Sequence, residues 1–325
     1  MTTTPVPFDP ELTAVIELMA AQMPTALTLD LIPELRQPNP ALPPSSDEEL
    51  SRDGFFEVTE VQVPGMAGAP EISLLICRPA DATADAPSAG IYFIHGGGMI
   101  MGDNRLGLPG MLEWARELRA AVVSVEYRLA PETPHPGPVE DCYAGLVWTA
   151  AHTAELGIDP RRMIVAGGSA GGGLAAAVAL LARDTGGPVL AGQMLMCPML
   201  DDRNDTPSSQ QMAGLGIWDQ ASNEVGWTAL LGDTRGGPDV SPYAAPARAE
   251  DLAGLPPAFI DVGSAETFRD EAVTYASRIW QAGGVAELHV WPGGFHGFAG
   301  LAPQAAVSRE ATAAQGNWLR RMLAR

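Results

Sequence analysis

The feature that most constrains this chain is a five-residue turn, Gly167-Gly168-Ser169-Ala170-Gly171. A short apolar run with β-branched residues, 163–166, precedes it and predicts a buried strand. A longer run rich in Ala and Leu, 172–181, follows it and predicts a buried helix. A strand that passes so tightly into a helix leaves no room for side chains two positions from the serine, which explains the glycines. The turn should therefore hold Ser169 in a strained conformation, with its hydroxyl in open space.

This G-x-S-x-G turn has two interpretations. In the chemical one, Ser169 is a nucleophile that stands over a helix N-terminus, where developing negative charge is favoured. In the other, it is a glycine-rich strand-to-helix turn without chemistry, as in phosphate-binding loops. Because the chain has 36 glycines, the choice depends on partner residues elsewhere in the sequence.

Composition excludes several classes of protein. The chain has 325 residues, 46% of them hydrophobic, which allows one large core with a small additional unit. All 19 basic residues are arginine and the formal net charge is −20, so nothing would neutralise the phosphates of a nucleic acid. No apolar run approaches the ~20 residues that span a bilayer. The N-terminus also lacks the basic start and apolar stretch of a signal peptide.

The three cysteines, Cys77, Cys142 and Cys197, are odd in number and widely spaced. This pattern suits a reducing cytoplasm better than a disulfide framework. Their spacing matches no zinc pattern, so we expect them to be small core residues. We therefore predict a cytoplasmic protein with a small-molecule partner, no nucleic acid, no membrane, and neither metal nor cofactor.

The order of the predicted elements indicates an α/β fold. Two strands that look antiparallel precede a repeated alternation of strand and helix, which implies a mostly parallel sheet with helices on both faces. The predicted strands are 55–63, 71–78, 91–94, 121–125, 163–166, 189–196, 258–262 and 285–291. The predicted helices are 10–23, 109–119, 138–155, 172–181, 270–282 and 308–323.

Two stretches interrupt this alternation. Residues 1–50 precede it, and residues 199–245 are too long for a plain connection. The second stretch contains Trp218 and Trp227, which would have little to pack on in a disordered insert, the alternative interpretation. The expected division is a core over 51–198 and 246–325, with 1–50 as an N-terminal cap segment and 199–245 as a cap insert above the turn.

A serine needs a base that removes its proton, and the chain has five histidines. Four fall in other contexts: His95 opens a glycine run, His135 lies between prolines, His152 in a helix and His289 in a strand. His296 lies in a loop directly after the last predicted strand, where a base follows the serine and the acid in chain order. A loop histidine that is merely hydrogen-bonded is the alternative.

The acid of such a site holds the tautomer of the histidine and stabilises the imidazolium. The candidates between the serine and the histidine are Asp261, Glu266, Asp270 and Glu271. Asp261 falls inside a predicted strand, and Asp270 and Glu271 begin the next helix, which they could cap. Glu266 lies in the loop and is the predicted acid, with a helix-capping carboxylate as its alternative.

Hydrogen-bond donors for an oxyanion are predicted in the run His95-Gly96-Gly97-Gly98, which follows a strand. Backbone N–H groups can converge there because glycine has no side chain to obstruct them. We expect donors from Gly97 and Gly98, with Ala170 as the third. His95 is expected to brace this loop by hydrogen bonds.

Taken together, these motifs resemble the hormone-sensitive-lipase-like family of bacterial esterases over about residues 70–320. The resemblance implies an α/β-hydrolase core with a small helical cap and hydrolysis of short- to medium-chain carboxylic esters by a serine esterase. It implies Ser169, His296 and Glu266 as the catalytic triad. The motifs that carry it are His95–Gly98, Tyr127–Glu132, the serine turn, Arg269–Glu271 and His296–Phe298.

The sequence departs from the family pattern at three positions. Gly168 replaces an Asp that is usual in the turn, Glu266 replaces the usual Asp, and Met99 replaces a frequent aromatic residue. Two alternatives to esterase activity stay open: a non-catalytic binder similar to the plant gibberellin receptor, and a hydrolase of amides, carbamates or lactones. His296 argues against the first, because that receptor lacks the histidine.

The last predicted strand, 285–291, would form an edge of the sheet, and such edges need covering or pairing. The family resemblance suggests a homodimer through this edge.

Overall fold

The computed structural model describes residues 4–20, 27–37, 43–66 and 68–324. The helix predicted over 10–23 is present from Pro10 to Ala20, and residues 21–23 lie outside the described residues. Within the described part of the chain, no helix is both long and apolar enough to cross a bilayer.

One eight-stranded sheet forms the centre of the molecule. Its order is β1-β2-β4-β3-β5-β6-β7-β8, with β2 antiparallel to both of its neighbours and all other pairs parallel. The predicted α/β-hydrolase fold with a mostly parallel sheet is thereby confirmed. The strands are β1 Phe56–Val63, β2 Ile72–Pro79, β3 Ser88–Ile94, β4 Ala120–Glu126, β5 Ile158–Gly168, β6 Gly192–Met196, β7 Ala258–Gly263 and β8 Ala286–Trp291.

The helices found in the described residues are α1 Pro10–Ala20, α2 Ile32–Leu35, α3 Asp47–Ser51, α4 Leu108–Leu118, α5 Gly137–Ala151, α6 Thr153–Leu156, α7 Ala170–Thr185, α8 Pro207–Gln211, α9 Gln220–Leu231, α10 Arg269–Gln281, α11 Phe298–Leu301 and α12 Ala306–Leu323. Side chains of α5, α7 and α10 form the core on one face of the sheet, and those of α4 and α12 form the core on the other. Strand β5 supplies both, because Val165 points to the first and its neighbours Ile164 and Ala166 to the second.

Several elements differ from the sequence prediction, among them β6, which begins at Gly192 rather than at residue 189, and for two others the structure shows the reason. Strand β5 begins at Ile158 rather than at residue 163, because Ser88 of β3 pairs with Ile158 before the register shifts. The helix predicted over 138–155 ends at Ala151 and resumes as α6. At the break, the His152 N–H bonds to the carbonyls of Trp148 and Thr149, and its ring stacks on the Trp148 indole.

A buried ion pair fastens the loop after β4 to helix α5. Asp141 is completely buried, and its carboxylate accepts hydrogen bonds from Arg128 Nε and Nη2, both at 2.7 Å. The Arg128 backbone N–H donates to the same carboxylate at 3.0 Å. Because these bonds favour the charged guanidinium, they raise the pKa of Arg128. The pair fixes the start of the Tyr127–Glu132 motif.

We expect Asp141→Ala to lower the free energy of unfolding by about 3 kcal/mol, the low end for breaking a buried pair. The low end applies because the Arg128 side chain is 33% exposed and regains part of its hydration. Urea unfolding followed by tryptophan fluorescence measures the change. Glu140→Gln, on the same helical turn and without an ion pair to a described residue, should cost less than about 0.5 kcal/mol. Equal losses in both variants would contradict the assignment.

Candidate active site

Strand β5 runs directly into helix α7 at Ser169. The φ and ψ angles of Ser169 are 57° and −123°, a region that residues other than glycine rarely adopt. Its N–H donates to the Met196 carbonyl at 2.8 Å, and its carbonyl accepts from the N–H groups of Met199 at 3.0 Å and Gly173 at 3.1 Å. The strained conformation is therefore held by backbone hydrogen bonds with the last residue of β6, with Met199 after it, and with α7.

The glycines two positions from the serine are required by space. A Cβ on Gly167 would overlap the carbonyl oxygen of Gly171, and a Cβ on Gly171 would overlap the carbonyl oxygen of Ile94. At Gly168 the nearest atom would be 3.9 Å away, an ordinary contact. The turn therefore needs glycine at 167 and 171 but not at 168.

His296 lies between Ser169 and Glu266. Its Nε2 is 2.8 Å from Ser169 Oγ, and its Nδ1 is 2.6 Å from Glu266 Oε2. The other carboxylate oxygen, Oε1, accepts the backbone N–H of Gly263 at 2.9 Å, and the Glu266 side chain is only 1% exposed. Three side chains that are distant in the sequence thus form one chain of hydrogen bonds at the carboxyl edge of the sheet.

The other acidic candidates are engaged elsewhere. Asp261 accepts hydrogen bonds from side chains of β8 and α12. Asp270 accepts the backbone N–H of Ser208 at 2.8 Å, and Glu271 accepts that of Leu200 at 2.7 Å. In the described structure, only Glu266 among the four candidates is hydrogen-bonded to the histidine.

Cys197, expected to be a small core residue, contacts the site. Its sulfur lies within 4.8 Å of the nearest side-chain ligand atoms of both Glu266 and His296. Burial raises the pKa of its thiol, so the group is neutral at neutral pH, whereas a metal binds the thiolate. Both nitrogens of His296 are already hydrogen-bonded, so these three residues do not suit a metal. Cys197 follows directly after β6, at the edge of the sheet where the site lies. This position in the sequence is the signal that could have indicated its contact with the site.

Burial and the neighbouring groups act on the pKa of His296 in opposite directions. Burial lowers it because the imidazolium loses hydration, while Cys197 and Glu266 raise it. Because the thiol is neutral, the upward direction rests on the hydrogen-bonded Glu266 carboxylate. We therefore place the pKa of His296 above its ordinary value of 6.5.

The glycine loop, residues 95–98, lies against the serine. A Cβ on Gly96 would be 3.4 Å from Ser169 Cβ. Within the described residues, the backbone N–H groups of Gly97, Gly98 and Ala170 donate to no other protein group. Gly97 and Gly98 have φ angles of 106° and 63°, conformations that glycine adopts at little cost. These donors are free for a ligand oxygen.

His95 supports the glycine loop through a hydrogen bond and an aromatic contact. Its Nδ1 is 2.8 Å from the Gly96 carbonyl, and its ring stacks on Tyr127 at a centroid distance of 4.1 Å. The Tyr127 hydroxyl donates to the His95 carbonyl at 3.0 Å. Burial lowers the pKa of His95 to about 4, so the ring is neutral and acts as a structural support.

The N-terminal segment packs on two loops of the site. Leu12 of α1 is fully buried against Phe295 and Phe298, which flank His296. Arg36 donates to the carbonyls of Ile100 at 2.7 Å and Ala130 at 2.6 Å, just beyond the glycine loop. This segment therefore packs both on the loop that carries His296 (residues 292–297, the histidine loop) and on the chain just after the glycine loop.

The insert over 199–245 contains helices α8 and α9 and contacts the site through Trp218. The Trp218 indole packs so closely on Gly98 that a Cβ there would overlap the ring. Thr267, the neighbour of Glu266, donates through its hydroxyl to the Trp218 carbonyl at 2.8 Å. Trp218 is thus in contact with both the glycine loop and the loop that carries Glu266 (residues 264–268, the acid loop).

Comparisons with known proteins identify the family of the chain. The family model described as the α/β-hydrolase fold matches residues 91–300. Esterase LipI of Mycobacterium tuberculosis is 37% identical over 259 residues, 79% of each chain. Hormone-sensitive lipase of Homo sapiens is 41% identical over 108 residues, 33% of this chain and 10% of that protein. A solved bacterial heroin esterase superposes with a TM-score of 0.85 at 41% identity, covering 97% of this chain and 98% of the other.

The family match includes the glycine loop, the serine turn and the histidine loop, and the matches to LipI and the heroin esterase extend over most of both chains. The chain therefore belongs to the α/β-hydrolase-fold family, in which it is a hormone-sensitive-lipase-like bacterial carboxylesterase, a carboxylic ester hydrolase.

Proposed function

We propose that this esterase hydrolyses esters with short to medium acyl chains through a covalent acyl-enzyme on Ser169. His296 accepts the hydroxyl proton as Ser169 Oγ attacks the ester carbonyl, and Glu266 stabilises the imidazolium. His296 then donates that proton to the leaving alcohol. Water, deprotonated by His296, attacks the acyl-enzyme and releases the carboxylic acid. The observation that carries this proposal is the hydrogen-bond chain of 2.8 and 2.6 Å through His296.

The oxyanion of each tetrahedral intermediate is proposed to bind the N–H groups of Gly97, Gly98 and Ala170. Ala170 follows Ser169 directly, Gly97 and Gly98 follow Gly96, which lies against the serine, and none of the three N–H groups has a protein acceptor in the described residues. A pre-arranged donor of this kind typically contributes roughly 10²–10³ in rate, because it need not reorganise when charge develops.

The two segments outside the core, 1–50 and 199–245, are proposed to form the cap. Arg36 donates to the Ile100 carbonyl just after the glycine loop, and Trp218 packs on Gly98 within that loop, which supports this assignment. Trp218 is only 9% exposed and its indole packs on Gly98, so it fills space on the insert side of the site. That filled space favours small acyl groups over long chains.

The cytoplasm is the proposed location. Cys77, Cys142 and Cys197 are all free, as is usual in a reducing compartment.

Ser169→Ala tests the proposal on a series of p-nitrophenyl esters from acetyl to palmitoyl. We expect the unchanged enzyme to be fastest on the acetyl to octanoyl esters, and the variant to lose at least about 10⁴-fold in kcat on all of them. The control is the melting temperature, which should not fall, because alanine removes only the hydroxyl. Turnover that survives in a folded variant would reject the nucleophile, whereas a maximum at palmitoyl would reject only the chain-length proposal.

Glu266→Gln and Asp270→Asn separate the two acidic positions. Glutamine keeps the size of the side chain but favours the wrong histidine tautomer, so kcat should fall by roughly 10³–10⁴. Asp270 bonds Ser208 and Arg269, so its variant should lose less than about tenfold. Losses of equal size would contradict the role of Glu266.

The pH dependence of kcat/KM reports the same assignment. A base works only when it is neutral, so a pKa of His296 above 6.5 moves the acid limb of the profile to higher pH. In Glu266→Gln the carboxylate is lost, and the remaining burial should move that limb to lower pH. A limb that stays in place in the variant would show that Glu266 does not set the pKa of His296.

A homodimer through the outer edge of β8 is also proposed. Strand β8 is the last in the sheet, and exposed apolar side chains lie on or near it, Val285 at 64% and Val290 at 39%. Light scattering should give the mass of two chains, and Val290→Arg should shift it toward one. A monomer at the concentrations of the assay would reject this interface.

A further inference from the structure

A separate cavity of about 450 Å³ lies next to His296 and Glu266. It lies on the α4 and α12 face of the sheet, at the carboxyl ends of β6 and β7. Its lining includes Cys197, Gly263 and Gly297, which contact or neighbour His296 and Glu266. Among the described residues that line it, neither Ser169 nor any residue of the glycine loop occurs. The cavity is therefore distinct from the space in which the ester carbonyl would meet the serine.

The walls of this cavity are largely apolar and aromatic. Phe93 and Phe298 are buried, Trp114 is half-buried, and Met111 and Met196 complete the apolar surface. Such walls accept the apolar body of a small molecule, and aromatic rings also attract cations through their quadrupole.

One ionisable group is buried in this apolar wall. Asp261 is 4% exposed and lines the cavity. Its Oδ2 accepts hydrogen bonds from Gln315 Nε2 at 2.8 Å and Trp291 Nε1 at 3.2 Å, both of them neutral donors. Within the described residues, no arginine or histidine lies within ion-pair distance of it, unlike Asp141 with its arginine, and His289 lowers its pKa only weakly from beyond that distance.

This lack of a partner is energetically costly. A buried carboxylate without a cation loses hydration that two neutral hydrogen bonds only partly replace. Burial accordingly raises the pKa of Asp261 to about 7. A cation within the cavity would supply the missing countercharge and favour the ionised carboxylate.

We propose that this cavity is a binding site for a small organic ammonium ion. Its positive charge pairs with Asp261, and its apolar body packs against Phe93, Trp114 and Phe298. The other acidic residue in the lining, Glu113, is exposed and already paired with Arg52 at 3.0 Å, so Asp261 is the recognition group. The inference does not depend on the ester reaction.

Calorimetric titration of the full chain with benzyltrimethylammonium tests this site, since the probe is charged at every pH. We expect saturable one-to-one binding, and binding of neutral benzyl alcohol that is at least about tenfold weaker, because it lacks the charge that pairs with Asp261. Asp261→Asn retains an oxygen for Gln315 and Trp291 but removes the charge, and should also weaken the ammonium at least about tenfold.

Two further variants separate this site from attraction to the acidic surface. Glu113→Gln removes an exposed charge at the same cavity and should leave the affinity within about twofold. Gly110→Leu changes no charge but places a side chain into open space beside the cavity, where a Cβ meets no atom within 4 Å, and should weaken binding at least about tenfold. Gly110→Leu also keeps the test valid if Asp261→Asn does not fold. Unsaturable binding, equal affinity for benzyl alcohol, or full affinity in a folded Asp261→Asn or Gly110→Leu variant would overturn the proposal.

Discussion

The strained turn at Ser169 is the constraint on which the rest of the site depends. Ser169 has a positive φ although it carries a side chain, because backbone hydrogen bonds with Met196, Met199 and Gly173 fix its conformation. The same tightness requires glycine at 167 and 171 and brings the Ile94 carbonyl, at the end of β3, against the turn. This contact places the glycine loop, which follows β3, next to Ser169.

Electrostatics around His296 depend on neutral neighbours as much as on charged ones. In a chain with a net charge of −20, one carboxylate, that of Glu266, is hydrogen-bonded to the imidazole. Burial keeps the Cys197 thiol protonated and the His95 ring neutral, so neither adds a charge beside the serine. The upward direction of the pKa of His296 therefore comes from one well-defined pair.

Support for the site extends beyond the core. The Tyr127–Glu132 motif connects three parts of the structure. Tyr127 donates a hydrogen bond to the glycine loop, and Arg128 anchors the motif itself to α5. Glu132 pairs with Arg36 of the N-terminal segment at 3.0 Å. Trp218 forms a similar link between the glycine loop and the acid loop. The loops of the candidate site are thus held by contacts with segments that are distant in the sequence.

Much of this arrangement follows from local patterns in the sequence. Apolar periodicity and the glycines around Ser169 predict a strand, a turn and a helix because tight turns are limited by local sterics. Placing Asp261 in a strand and Asp270 and Glu271 in a helix left Glu266 as the loop acid, and the structure brings Glu266 to His296. Local rules of this kind predict which element a residue occupies.

Tertiary structure decided what depends on contacts across the fold. Pairing with Ser88 extended β5 back to Ile158, and the contact of Cys197 with Glu266 and His296 arises only where β6 and β7 end side by side. The lack of an ion-pair partner for Asp261 likewise arises only in the folded chain, where α12 and β8 supply neutral donors around it. The sequence alone determined the elements and the order of the chemical groups, because those depend on neighbours along the chain. Distances, burial and pKa values were decided by packing between residues that the chain separates by tens to hundreds of positions.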